Sequence, residues 1–340
     1  MSRTAASVGV VIPTRGDRPA QLRAAVEAAL TQDYTGQVSV VVVVDGGHLH
    51  TVADDLHPVV GGGVRRSAEG ARSAMDGGGP HSAGDDGVRR PVGGGGAPRP
   101  AVRVLPNRFT PGLPGARNTG IAACDTDLIA FCDDDDLWLP GKLAAQTRLL
   151  ADGGAEFASC GIEIEYGGRR VPRPAGTDRV TAADLVRSRM VMVHSSTFLF
   201  RRGTLWVDES APRGQNEDWD LALRAAKRHP IANADEPLVR VRWGASHYVA
   251  RWADRIAGLE WMLARHPELA VDPRGAARIY GQLAFGHAAL GNRRGAARWA
   301  VRTLAARFGE PRAPIALAVA AGLIPAATVL ALLHHRGRGI

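Results

Sequence analysis

Four consecutive carboxylates, Asp133-Asp134-Asp135-Asp136, follow the apolar run 128–132. Side by side they repel one another, and a fold that keeps such a cluster must supply positive charge. A divalent cation suits the task, because hard cations take carboxylate oxygens. A bare acidic run is more at home on a solvated loop. Here, however, it stands where a buried strand would leave a parallel sheet, the usual ligand site of open α/β folds. Alternate residues of an extended segment face the same way, so Asp133 and Asp135 are expected on one face and Asp134 and Asp136 on the other. The first pair suits a DxD arrangement, one carboxylate meeting ribose or metal and the other a metal that bridges two phosphates. A second acidic group, Asn216-Glu217-Asp218-Trp219-Asp220, opens a helical pattern continued by Leu221, Leu223 and Ala226. It sets carboxylates at the positive end of a helix.

These residues need a scaffold, and the first hundred positions begin to describe one. Val8-Gly9-Val10-Val11-Ile12, stopped by Pro13, has the pattern of a buried strand. Leu22, Val26, Ala29 and Leu30 recur at helical spacing within 20–30, and 38–44 is a second buried strand ending at Asp45-Gly46-Gly47. Strand, helix, strand is a βαβ unit and implies a parallel sheet with a right-handed crossover. Residues 101–105, 128–132, 157–164 and 196–200 read as further strands. Helices are expected from Gly115, after Pro140 and over 216–227.

Between 59 and 100 the composition shifts to glycine, proline, arginine and small polar residues, with glycine tracts at 61–63, 77–79 and 93–96. Such a segment buries too little apolar surface to offset its ordering entropy, so a disordered insertion on the sheet's rim is expected. The tracts lack the strand-to-helix context of a phosphate-cradling loop. From 251 the chain changes character. Residues 276–290 and 295–308 form an alanine-rich αα-hairpin around Gly291-Asn292-Arg293-Arg294. The stretch 313–333 is uncharged, but Pro314 and Pro325 interrupt it and the preceding helix is basic. It is expected to pack as a hairpin on the protein or to lie on a membrane face, ahead of spanning a bilayer. The domain reading is 1–250 for an α/β unit and 251–340 for a helical appendage.

Composition narrows the function. At 340 residues, 45% hydrophobic and 22% charged, the chain can bury a full core. The net charge of +8 raises nucleic acid as a partner. Yet Lys142 and Lys227 are the only lysines, and arginine is abundant together with alanine, glycine and proline. That bias fits a GC-rich genome, and no basic helix interleaved with aromatics occurs in the α/β part, so no nucleic-acid partner is expected. Three cysteines, Cys124, Cys132 and Cys160, have no CxxC spacing, which argues against a disulfide framework or zinc site and fits a reducing compartment. No apolar signal core precedes the first strand, so the expected location is the cytoplasm.

Taken in order, Ile12-Pro13-Thr14, Asp45, Gly115-Ala116-Arg117-Asn118-Thr119-Gly120-Ile121, Phe131 through Pro140, and Asn216-Glu217-Asp218-Trp219-Asp220-Leu221 resemble the motif set of family 2 glycosyltransferases. The likeness covers residues 7–245, and the set is specific although no single member is. It implies a GT-A fold, a Rossmann-like and mostly parallel sheet flanked by helices, and an inverting transfer from a nucleoside-diphosphate sugar to an acceptor hydroxyl, with Mg2+ or Mn2+. By the same likeness Pro13, Thr14 and Arg15 look like the first nucleotide-contacting turn, and Asp45 like the carboxylate that reads the base. The chain has Asp45-Gly46-Gly47 where the family pattern is Asp-Asp-Gly-Ser, so one acidic residue is missing. Arg117 and Asn118 correspond to residues facing the donor, with Arg117 as a diphosphate or structural contact ahead of a plain salt bridge to the acidic run. Asp133 corresponds to a donor-binding carboxylate, with Asp133, Asp135 and His247 as the metal set.

Asp218 resembles the family's general base, which takes the acceptor proton as the new bond forms. Glu217 and Asp220 compete for that role. Trp138 and Trp219 suit either a sugar pocket or the core, and His194 is a candidate at the acceptor border. The expected substrates are a cell-envelope glycan, lipid or secondary metabolite, with the tail allowing peripheral contact at the inner membrane face. A nucleotidyltransferase lacks its glycine-rich opening loop here, and a nicotinamide oxidoreductase lacks GxGxxG. The contrasting class is an inactive GT-A-like binding protein held at a membrane or partner by its tail. The intact acidic residues argue against it.

Overall fold

The structure is a computed structural model and describes residues 5–60, 64–66, 102–152, 154–243 and 251–335. Its centre is β1 (Val8–Thr14), buried along its whole length, as expected of a parallel strand covered on both faces. Helix α1 (Pro19–Leu30) crosses to β2 (Val38–Val44), which pairs with β1 in parallel from Val8↔Val38 to Thr14↔Val44. β1 thus runs through Pro13, one turn of the pleat beyond the sequence-based stop, at the rim where a missing N–H breaks little of the ladder. Helix α2 (Leu49–Val60) and the short β3 (Val64–Arg66) follow within the range expected of the insertion. Residues 61–63 and 67–101, the rest of that range included, lie outside the described residues.

β4 (Val102–Pro106) joins β2 and β3 in parallel, and α3 (Leu113–Ala123) leads to β5 (Leu128–Phe131), the other parallel neighbour of β1. Gly120 in α3 lets the helix lie on β1, since a Cβ there would stand 2.1 Å from Val11 Cγ1.

The second half adds β6 (Leu137–Trp138), α4 (Lys142–Asp152), β7 (Phe157–Tyr166), β8 (Arg169–Arg173), β9 (Arg179–Val180) and α5 (Ala182–Arg187). β10 (Leu199–Arg201), α6 (Glu217–Arg228) and β11 (Ile231–Arg242) complete it. The described strands form one sheet ordered β3-β4-β2-β1-β5-β10-β7-β11-β6, and β10 runs antiparallel to both neighbours. The strand expected over 196–200 is shorter, because Ser195–Thr197 form a 3-10 turn. There the Thr197 hydroxyl donates to the His194 carbonyl at 2.6 Å and the Ser196 hydroxyl to Asp136 at 2.6 Å. Such local bonds compete with the ladder.

Side chains of β1 alternate between two cores. Val8, Val10 and Ile12 pack with α1, α2 and α4, while Val11 faces α3, α6 and the C-terminal helices. Those helices are α7 (Trp252–Arg265), α8 (Pro273–Ala289), α9 (Arg293–Ala306), α10 (Arg312–Ala320) and α11 (Ala326–His335). The α8–α9 hairpin turns at Gly291, with φ +74°, and Asn292 caps α9 by accepting the Gly295 N–H at 2.9 Å. The apolar stretch 313–333 becomes two short helices broken between Gly322 and Pro325. Among the described residues no helix is long and apolar enough to cross a membrane. Cys124, Cys132 and Cys160 are free, buried thiols.

Candidate active site

β5 delivers the acidic run to the C-terminal rim of the sheet beside the end of β1. The run is not extended. The Asp136 N–H donates to the Asp133 carbonyl at 3.1 Å, closing a turn, so the alternate-face argument fails in its premise. Exposure still separates the carboxylates in the same pairs. Asp133 and Asp135 are 21% and 24% accessible, against 12% for Asp134 and 3% for Asp136. Asp134 accepts the Thr14 hydroxyl at 2.6 Å, and Asp135 pairs with Arg18. Burial pushes the Asp134 carboxyl up to about 6, against the lowering effect of Thr14. Burial and the crowding of Asp133 and Asp135 hold Asp136 well above the carboxylate range. Such a crowded donor set suits a cation. Asp133, Asp136 and His194 also bring ligand atoms within 4.8 Å of one another. Both candidate metal sets therefore contain Asp133, with Asp135 or with Asp136 and His194. His247 lies outside the described residues.

One buried arginine ties this run to the second acidic group. Arg117 projects from α3, donates to Asp133 at 2.7 Å and pairs with Glu217 of α6, its guanidinium 5.4 Å from the Phe131 ring centre. Burial opposes its charge, but Asp133 and Glu217 override that and raise its pKa. Asp218, next along α6, binds Arg189 through both oxygens at 2.8 and 2.9 Å and accepts its neighbour Trp219 N–H. Burial would raise the Asp218 carboxyl, yet Arg189, His194 and Arg117 hold it below the ordinary value. Glu217, enclosed more completely, is pushed up to about 7 by burial despite Arg117. Asp218 is thus the more readily ionised member of the pair.

The other singled-out residues divide. Thr14 reaches the acidic run, whereas Arg15 is exposed at the mouth of β1. Asp45 accepts the Asn107 side-chain amide at 2.8 Å and the Gly112 N–H at 2.9 Å, bracing the loop between β4 and α3. Asn118 does not share the direction of Arg117. Its amide exchanges hydrogen bonds with the Val207 backbone at 2.9 and 3.0 Å and donates to Glu209 at 2.7 Å. Trp138 and Trp219 are core residues, with indole N–H groups spent on the Ser196 and Leu185 carbonyls. Arg18, Arg189 and Ser195, which donates to Asp133 at 2.9 Å, were missed. None belongs to a motif. Only the helical spacing of Arg18, just ahead of α1, offered a signal.

Asp220 lies on another face of α6 and is structural. It accepts from Arg224 at 2.8 Å, from Arg265 and from His266 at 2.9 Å, locking α6 to α7. Burial opposes its ionisation, but His266 and the arginines bring its carboxyl down to about 2. A depressed carboxyl stabilises the fold above its unfolded pKa and loses that contribution as pH falls from about 4 towards 2. Asp220→Ala is expected to lower stability at pH 7 by about 2 kcal/mol, since it removes a buried carboxylate that accepts charged hydrogen bonds, and by much less at pH 2. Urea melts at the two pH values test this, and an equal loss at both would refute it.

The model of the family "Glycosyl transferase family 2" matches residues 97–207, a segment that contains Arg117 and the whole acidic run. The complete fold aligns with TarS 1–349 of S. aureus in complex with UDP-GlcNAc, at TM-score 0.56 and 12% identity over 98% of this chain and 92% of that one. The chain resembles family 2 glycosyltransferases and has the GT-A fold. A second GT-A structure, the mannosyltransferase PcManGT of Pyrobaculum calidifontis in complex with GDP-Man and Mn2+, aligns at TM-score 0.51 and 17% identity, covering 97% of this chain and 81% of that one. Among curated proteins, the UDP-Glc:alpha-D-GlcNAc-diphosphoundecaprenol beta-1,3-glucosyltransferase WfgD of Escherichia coli is 28% identical over 131 residues. That alignment takes in 38% of this chain, which spans about half the length of WfgD.

Proposed function

We propose that the chain is a metal-assisted, inverting glycosyltransferase that moves a sugar from a nucleoside diphosphate to an acceptor hydroxyl. The observation that carries this reading is the Asp133–Arg117–Glu217 link, which ties an accessible carboxylate of the acidic run to Glu217, the neighbour in α6 of an ionised Asp218. Asp133 and Asp135 would hold Mg2+ or Mn2+, which would supply positive charge to the leaving diphosphate. Thr14 orients Asp134 behind them. Asp218 accepts the acceptor proton, and Arg189 fixes both its oxygens until the acceptor arrives. Pro13, Thr14, Arg15 and Asp45 border the nucleoside. The intact acidic residues favour this over an inactive binding protein.

The test is a melting screen of the full chain with UDP, GDP, TDP and CDP, each with Mn2+ or EDTA. A ligand at about one hundred times its Kd adds about 2.7 kcal/mol of stability. Stabilisation by one diphosphate only with Mn2+ supports the reading and names the donor nucleotide. No shift with any of them rejects it.

Its setting is the inner face of a membrane. Residues 293–340 carry eight arginines against the single acid Glu310, while Phe308, Leu323 and Leu332 are exposed. Apolar side chains flanked by cations suit an anionic bilayer surface. The full chain is expected to sediment with phosphatidylglycerol vesicles, less with phosphatidylcholine, and to be released by high salt. Absence of sedimentation with either lipid would reject this placement.

A further inference from the structure

Behind Asp218 stands a group of cations that the transfer chemistry does not use. Arg278 of α8 lies 5.6 Å from the ring centre of Trp219, the residue next to Asp218. Its Nε and one Nη are enclosed without a hydrogen-bond partner. Arg255 of α7 stacks 5.0 Å from the Trp252 ring centre, with no carboxylate in ion-pair range among the described residues. Burial first, and then the field of Arg189, holds both guanidiniums below their ordinary value, that of Arg278 down to about 9. The carboxylate that acts on Arg278 is Glu310, which is already paired with Arg312. Arg255 and Arg278 thus both lie within the field of Arg189, and of the three only Arg189 holds a carboxylate directly, Asp218.

This arrangement is costly as it stands. Charges taken out of water need a counter-charge, and enclosed N–H groups need acceptors. Stacking on Trp219 offsets part of that cost but leaves those N–H groups unmet. Arg224 and Arg265, by contrast, are matched by Asp220 on the same helix. All three arginines keep part of their surface accessible. Guanidinium forks fit phosphate oxygens in pairs.

We propose that Arg189, Arg255 and Arg278 form an acceptor-side phosphate subsite, so that the acceptor carries a phosphate or diphosphate near its reacting sugar. The proposal rests on the transferase reading. An acceptor phosphate that draws Arg189 onto itself releases Asp218 from its bidentate grip, so that the base is freed when the acceptor is seated. Acceptors without the anion then meet a base still engaged by Arg189.

The test is calorimetric titration of the full chain, in EDTA, with inorganic pyrophosphate and with butyl diphosphate. Wild type is expected to bind both, and Arg278→Gln and Arg255→Gln each to weaken binding at least tenfold while melting as folded proteins. Mn2+-dependent nucleotide binding should be unchanged in both variants. Failure of wild type to bind butyl diphosphate, or unaltered binding in both variants, overturns the proposal. Binding of pyrophosphate alone marks a free-diphosphate site and overturns the acceptor assignment. Loss of the nucleotide response with butyl diphosphate binding retained would reject the transferase reading and leave the anion site standing.

Discussion

Replacing Asp218 with Asn should lower transfer by about 10²–10⁴-fold, the usual worth of a positioned general base, while metal-dependent nucleotide binding stays intact. Asn keeps the size of the side chain and still offers an oxygen to Arg189, which now binds both carboxylate oxygens at 2.8 and 2.9 Å. The fold is therefore retained, and what disappears is a carboxylate able to take a proton. Displacement at an anomeric carbon needs that acceptor of protons on the acceptor side, away from the leaving diphosphate. Steady-state release of nucleoside diphosphate, measured beside nucleotide binding, separates the two effects. Retention of more than about a tenth of the rate would move the role to another group. Glu217 would be the first alternative, although burial pushes it up to about 7 and Arg117 already occupies it.

The second large effect is expected at Asp133. Asp133→Asn should abolish the Mn2+-dependent stabilisation by nucleotide, because both candidate metal sets, Asp133 with Asp135 and Asp133 with Asp136 and His194, contain this residue. It also removes the charge that Arg117 meets at 2.7 Å, leaving that buried guanidinium to Glu217 alone. A loss of intrinsic stability of about 1–3 kcal/mol accompanies the loss of binding. Titration of free Mn2+ by electron paramagnetic resonance resolves the second ligand. Asp135→Asn is expected to weaken Mn2+ by more than about tenfold, with His194→Gln changing it little. The reverse order would assign the ion to Asp136 and His194, and unchanged affinity in Asp133→Asn would remove the metal from the acidic run.

The central strands were legible because β1 and β2 are nearly unbroken β-branched runs, and a strand buried on both faces needs nothing else. The acidic run was legible through its position after β5. Its internal geometry was not, since a turn closed by a backbone bond between Asp136 and Asp133 leaves no mark in four identical residues. β11 escaped notice because Glu236 and Pro237 interrupt its pattern where its pairing with β7 shifts register. Arg189 and Arg278 were invisible as site residues. Their meaning comes from α5, α6 and α8 meeting, a long-range fact that composition rich in arginine conceals. Asn118 shows the opposite limit. It sits beside Arg117 in a recognisable motif, yet successive residues on a helix diverge, and its amide serves the Val207 backbone instead.

The three buried thiols give the protein an internal clock for opening. Burial raises Cys124 to about 11 and Cys160 to about 12, and lifts Cys132 well above the usual thiol range with help from Asp136. Since the thiolate is the reactive form, alkylating reagents meet almost none of it in the native state. Labelling of Cys132 therefore times the exposure of the strand that carries Asp133, in the wild-type chain. A cysteine added at the surface can also bear a fluorophore or spin label with the native three left in place.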